Sequence, residues 1–152
     1  MKEAPTAAAT GRLRGHVLLA EDSPVNALVA QAWLQQAGME VTTVPDGEQA
    51  VGLATAGGFD LVLMDCQMPG VDGFEATLRI RQHERLNSLQ RVPIIALTAN
   101  VLPGDRERSL RAGMDEHLAK PFNDVALRAV LRRHLPQTGR PTDAVAVVLP
   151  DS

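Results

Sequence analysis

An α/β fold, a parallel five-stranded sheet with helices on both faces, is predicted by two observations and given a direction by a third. Short apolar runs alternate five times with stretches of helical spacing, and right-handed crossovers make such alternation a parallel sheet. The third apolar run is hydrophobic almost throughout, as a central strand should be. The runs also end on carboxylates, a hydroxyl and an amine, and in open sheets of this kind ligands sit beyond the carboxyl ends of the strands.

The elements follow in order. "HVLLA" (16–20) is the first strand. A helix comes next, with Ser23 as N-cap, Pro24 at the first helical position, where no N–H is needed, and Gly38 as its stop. Its amphipathic spacing is carried by Val25, Leu28, Val29, Ala32 and Trp33, at i, i+3, i+4, i+7 and i+8. "MEVTTV" (39–44) and a helix over 46–57 form the second unit, with Asp46 before Gly47 read as a turn or cap. "FDLVLMD" (59–65) is the third strand, and Asp72 before Gly73 caps or turns into a helix over 73–86. "VPIIALT" (92–98) precedes a helix over 104–112. "EHLAK" (116–120) precedes one over 122–135, with Leu127, Val130, Leu131 and Leu135 on one face.

Composition bounds the rest. A chain of 152 residues suits one domain, here 15–135, between a flexible lead (1–14) and a linker or tail (136–152). Eighteen acids against fifteen bases argue against a basic nucleic-acid surface. The single cysteine, Cys66, rules out an internal disulfide framework, fits a reducing compartment and reads as a small buried hydrophobe. No apolar run is long enough to span a bilayer, and the lead lacks a signal peptide's apolar stretch, so a cytoplasmic location is expected. The tail's "AVAVVLP" could be an edge strand, a packing segment or the start of a further domain. His16, His83 and His134 show no ligand spacing, and Met39, Met64, Met68 and Met114 read as packing residues.

The strand ends carry the chemistry. Glu21 and Asp22 follow the first strand, Asp65 ends the third, Thr98 the fourth and Lys120 the fifth. Three carboxylates at close range either raise one another's pKa or hold a cation, and a hard divalent ion such as Mg2+ prefers oxygen ligands. An ammonium beside them makes sense if an anion arrives, and a phosphoryl group is such an anion, with Thr98 donating to its oxygens. Asp65 is then the candidate nucleophile, forming an aspartyl phosphate.

In this arrangement the chain from about 15 to 135 resembles the receiver domains of two-component response regulators. The resemblance rests on Glu21-Asp22, on Asp65 within "DCQMPGVDG", on Thr98 and on Lys120-Pro121; "AEDSPVNALVAQ", "IIALTAN" and "AGMDEHLAKPF" are most similar to receivers attached to hybrid sensor histidine kinases. It implies a flavodoxin-like doubly wound (βα)5 fold with strand order 2-1-3-4-5. It also implies Mg2+, or Mn2+ in its place, held by Glu21, Asp22, Asp65 and the Gln67 backbone carbonyl. Asp65 would be the phosphoacceptor, Lys120 would neutralise a phosphoryl oxygen, and Thr98 would shift on phosphorylation. Gln67 and Asn100 fall where such domains tune dephosphorylation. His117 stands where the family often has an aromatic residue that turns inward with the hydroxyl. Here it is either a retained planar ring or a partly exposed strand residue.

The implied function is a signalling switch that takes a phosphoryl group from a histidine kinase or histidine phosphotransfer domain, in a cytoplasmic part of a larger membrane sensor kinase. Alternatives are a stand-alone phosphorelay intermediate and a pseudo-receiver that only binds partners. A metal-dependent phosphohydrolase lacks its second aspartate, because Gln67 stands there. Arg106, Arg108, Arg111, Arg128, Arg132 and Arg133 mark 104–135 as a surface for an acidic partner or a homodimer. No direct contact with nucleic acid or membrane is expected.

Overall fold

Five strands, each followed by one helix, make up the described part of the chain, residues 15–99 and 104–135 of a computed structural model. The strands are β1 (Gly15–Ala20), β2 (Met39–Val44), β3 (Leu61–Asp65), β4 (Ile94–Thr98) and β5 (Glu116–Ala119). The helices are α1 (Pro24–Gln36), α2 (Gly47–Ala56), α3 (Gly73–Leu86), α4 (Asp105–Ala112) and α5 (Asp124–His134). All strand pairs are parallel and the sheet order is β2-β1-β3-β4-β5, as the resemblance implies. The lead, the tail with its "AVAVVLP" run, and Asn100 lie outside the described residues.

Alternation along each strand feeds two cores. Val17, Leu19, Leu61, Leu63, Ile95 and Leu97 pack on one face with Ala27, Ala30 and Leu34 of α1 and Leu127, Val130 and Leu131 of α5. On the other face Leu18, Ala20, Val62, Met64, Ile94 and Ala96 meet Ala50 of α2 and Ala76 and Ile80 of α3. Met39, Met64, Met68 and Met114 are buried, as is Cys66.

The helix starts are set by side chains that accept from orphan backbone N–H groups. Ser23, Asp46, Asp72 and Asn123 cap α1, α2, α3 and α5, accepting from the backbone N–H of Asn26, Gln49, Glu75 and Ala126. Asp46 and Asp72 are therefore caps. One expectation is corrected: α1 forms where its spacing places it, but the face it buries is not the expected one. Val25, Leu28 and Val29 are 72%, 70% and 44% exposed, Ala32 is exposed and Trp33 half-buried, while Ala27, Ala30 and Leu34 face the sheet. Ala27 and Ala30 with Leu34 form the packed face, and Val25 and Leu28 are left in solvent.

Candidate functional site

Parallel strands deliver their carboxyl ends to one edge, and the predicted residues meet there. Glu21 follows β1 and is buried, Asp22 beside it is exposed, and Asp65 closes β3 at 3% exposure. One carboxylate oxygen from each of the three lies within 4.8 Å of the others. Lys120 directly follows β5, its backbone N–H donating to the Thr98 carbonyl at 2.7 Å. Its Nζ donates to Glu21 Oε1 at 2.8 Å and to Asp65 Oδ2 at 3.1 Å. The Gln67 backbone N–H donates to Asp65 Oδ1 at 3.0 Å, and the Ser23 N–H to Glu21 Oε2 at 3.1 Å. The Lys120–Pro121 peptide is cis.

Two glycines bring the segment after Asp65 into place. A Cβ on Gly73 would lie 2.3 Å from the Asp65 carbonyl oxygen, and one on Gly47 would lie 2.1 Å from the Val71 carbonyl oxygen. Both contacts are with backbone, which cannot rotate aside. The break at Met68-Pro69-Gly70 after β3 thus turns the chain back against the starts of α2 and α3 and leaves Asp65 facing the edge.

The electrostatics follow from this crowding. Burial, reinforced by a hydrogen bond with Glu21, raises the Asp65 pKa to about 6 against the opposing Gln67 N–H and Lys120. Burial pushes Glu21 upward too, but Lys120, Asp65 and the Ser23 N–H outweigh it and hold Glu21 below its ordinary value. Burial would lower Lys120, yet Glu21 and Asp65 together raise it, so it stays an ammonium. The pocket carries more negative charge than its one lysine offsets. An all-oxygen set of this kind fits a hard divalent cation such as Mg2+.

Next to the carboxylates lies a cleft of about 400 Å³, lined among others by Asp22, Gln67, Thr98, Ser109 and His117. Thr98 and His117 therefore share one cavity, with Thr98 at the end of β4 and His117 half-buried on β5. Along its wall the Arg108 guanidinium sits 4.0 Å above the centre of the Phe74 ring. Of the six arginines expected on the partner surface, Arg108 engages Phe74, Arg128 pairs with Asp124 and Arg133 with Glu116. Elsewhere His16 bonds Thr42 and His134 bonds Glu116.

Sequence reading missed two features. One is the contact of Lys120 with Glu21 in addition to Asp65, which spacing cannot show. The other is a buried ionic group, Arg81 with Glu84, on α3.

The fold and its edge define a doubly wound α/β domain with an acidic, cation-suited pocket completed by one lysine. Residues 17–132 match the family described as the response regulator receiver domain, and the chain belongs to that family. It is 42% identical over 115 residues to the sensor protein GacS of Pseudomonas syringae pv. syringae, which covers 76% of this chain. It is 39% identical over 123 residues to the signal transduction histidine-protein kinase BarA of Escherichia coli K12, covering 81% of this chain. In both comparisons the chain spans 13% of the relative's length. Among solved structures, it is similar to the receiver domain of the sensor histidine kinase PA1611 from Pseudomonas aeruginosa PAO1, which has a magnesium ion coordinated in the active site cleft. That likeness has 49% identity and a TM-score of 0.72, covering 80% of this chain and 98% of that one. It is also similar to the complex of the Saccharomyces cerevisiae histidine phosphotransfer protein Ypd1 with the receiver domain of Ssk1. There the identity is 31% and the TM-score 0.70, with 78% of this chain and 85% of that one covered. The chain is thus a receiver domain of the two-component and phosphorelay type, and its relatives include receivers of hybrid sensor kinases.

Proposed function

We propose that Asp65 is the phosphoacceptor of this receiver and that the group arrives from a phosphohistidine on a kinase or phosphotransfer protein. The carrying observation is the convergence of Glu21, Asp22 and Asp65 within 4.8 Å, with Lys120 Nζ bridging two of them. In the transfer an Asp65 Oδ–P bond forms as the P–N bond of the phosphohistidine breaks, and the imidazole leaves with the electron pair. Glu21, Asp22, Asp65 and the Gln67 carbonyl would hold Mg2+, or Mn2+, which offsets negative charge on the phosphoryl oxygens. Lys120 moves from pairing carboxylates to pairing a phosphoryl oxygen, and Thr98 donates its hydroxyl to another.

The donor protein docks on the outer face of α1. Val25, Leu28 and Val29 form an exposed apolar strip there, and Val29 continues into a crevice that also exposes Trp33, Phe122 and Lys120. A partner seated there has its histidine beside the pocket. The segment 104–135, with Arg106 and Arg111 exposed, is the surface read after phosphorylation, by an acidic partner or a second copy. Sedimentation with and without a phosphate mimic checks the second copy. No described helix is long and apolar enough to cross a membrane; we place the domain in the cytoplasmic part of a larger sensor kinase.

Incubation with acetyl phosphate and Mg2+, followed by intact-mass analysis, tests the central assignment. One phosphoryl group is expected, absent in Asp65→Asn and sharply reduced by chelator or by Asp22→Ala. Full labelling of Asp65→Asn at the wild-type rate would overturn it.

A further inference from the structure

Lys120 reaches the pocket from β5, the shortest strand described and the one least able to fix its own register. Of Glu116, His117, Leu118 and Ala119 only Leu118 is buried, so hydrophobic patterning holds this edge strand through a single side chain. A slip of one residue moves the backbone by about 3.3 Å and turns each side chain to the other face. Lys120 Nζ would then lose both its 2.8 Å contact with Glu21 and its 3.1 Å contact with Asp65.

What resists the slip lies at the far end of the strand. Asp115, the residue before β5, brackets the start of β4: its backbone N–H donates to the Ile94 carbonyl at 2.8 Å and its Oδ2 accepts from the Ile94 N–H at 2.9 Å. That carboxylate is held from two sides: buried Arg81 of α3 donates from Nη2 to Oδ2 at 2.9 Å, and exposed Arg91 donates from Nε and Nη2 to Oδ1 at 3.1 and 2.8 Å. Arg81 also donates from Nε to the Gly113 carbonyl and from Nη1 to the Val92 carbonyl, each at 2.8 Å, and to Glu84 Oε1 at 2.9 Å. Its side chain is 4% exposed. Glu84 Oε2 in turn accepts from the Val92 N–H at 2.9 Å. One buried guanidinium thus joins α3, the approach to β4 and the turn into β5. A buried charge of this kind is costly unless fully bonded, and nothing in the chemistry of the pocket uses it.

We propose that Arg81 is a positioning residue for Lys120. By clamping Asp115 it sets the register in which β5 delivers the ammonium to Glu21 and Asp65, about 16 Å further along the strand. The link is a continuous ladder, closed at the other end by the Lys120 N–H on the Thr98 carbonyl. The proposal rests on the phosphoacceptor reading above.

Arg81→Lys and Asp115→Asn test it, measured for folding, Mg2+ affinity and the rate of labelling by acetyl phosphate, each alone and combined with Lys120→Ala. A register role predicts that labelling slows about tenfold or more, since misplacing a catalytic group by an ångström or so costs on that order. Mg2+ affinity should not weaken, because its carboxylates sit after β1 and β3. With Lys120→Ala already in place, neither variant should slow labelling further. A folded variant with the wild-type rate, a parallel loss of Mg2+ affinity, or an undiminished loss in the Lys120→Ala background would each overturn the proposal. Failure of both variants to fold would also overturn it, leaving a purely structural clasp. Failure of the wild-type protein to label at all would defeat the phosphoacceptor reading itself.

Discussion

Asp65 as the proposed phosphoacceptor meets two opposed demands, because attack on phosphorus needs it ionised while burial and Glu21 favour its proton. Its folded pKa of about 6 lies above the ordinary carboxyl value of 3.8, so it adds stability below that lower value. The contribution is lost as pH rises through about 6. A cation binding the carboxylate must displace the proton, so affinity rises with pH up to about 6 and levels off above. Calorimetric titration should give Mg2+ affinity about tenfold weaker at about pH 5 than at about pH 7, with proton uptake by the buffer at the lower pH. A flat profile would place the proton elsewhere. Thr98 makes a different prediction, since its hydroxyl is proposed to matter only once phosphate is present. Thr98→Ala should bind Mg2+ and accept phosphate, yet show smaller NMR shifts across residues 99–120 on phosphorylation. Undiminished shifts would remove Thr98 as the relay, and His117 in the same cleft would have to be coupled by another route.

At the scale of elements, glycines decide how closely the loop after Asp65 can lie. A Cβ at Gly73 would sit 2.3 Å from the Asp65 carbonyl oxygen, so Gly73→Ala must displace the backbone of the proposed phosphoacceptor. It should destabilise the fold by about 1–3 kcal/mol in urea unfolding, as overpacking does, and weaken Mg2+ binding in the same variant. Gly52, inside α2 with open space where a Cβ would stand, is the control: Gly52→Ala should stabilise by about 0.5–1 kcal/mol and leave Mg2+ binding alone. Strands, caps and the residues ending each strand were readable because each depends on local periodicity or one-residue chemistry. The buried face of α1 was not, because Val25, Leu28 and Val29 and the set Ala27, Ala30 and Leu34 are both apolar at helical spacing. Periodicity cannot choose between two apolar faces; tertiary packing buries the one carrying Ala27, Ala30 and Leu34. Arg81 and Glu84 were unreadable for the reverse reason, since charge in a helix signals solvent until a tertiary partner is known.

For the whole molecule, the arrangement separates the faces by task. The carboxyl edge holds the proposed chemistry, α1 presents apolar surface beside it, and α4 and α5 carry exposed arginines. Small and macromolecular donors should therefore respond differently to one change. Acetyl phosphate needs only the pocket, whereas under the proposed docking a phosphohistidine protein needs the α1 strip as well. Leu28 is 70% exposed and outside both cores, so Leu28→Glu should fold normally and accept phosphate from acetyl phosphate at the wild-type rate. Transfer from a phosphorylated histidine phosphotransfer protein should slow at least about tenfold, because a carboxylate desolvated against an apolar partner surface costs more than about 1.4 kcal/mol. Arg111→Glu, on the opposite side, should leave both donors unaffected. Equal slowing with both donors would mean that Leu28→Glu disturbs the pocket, and no slowing with either would move the docking face off α1.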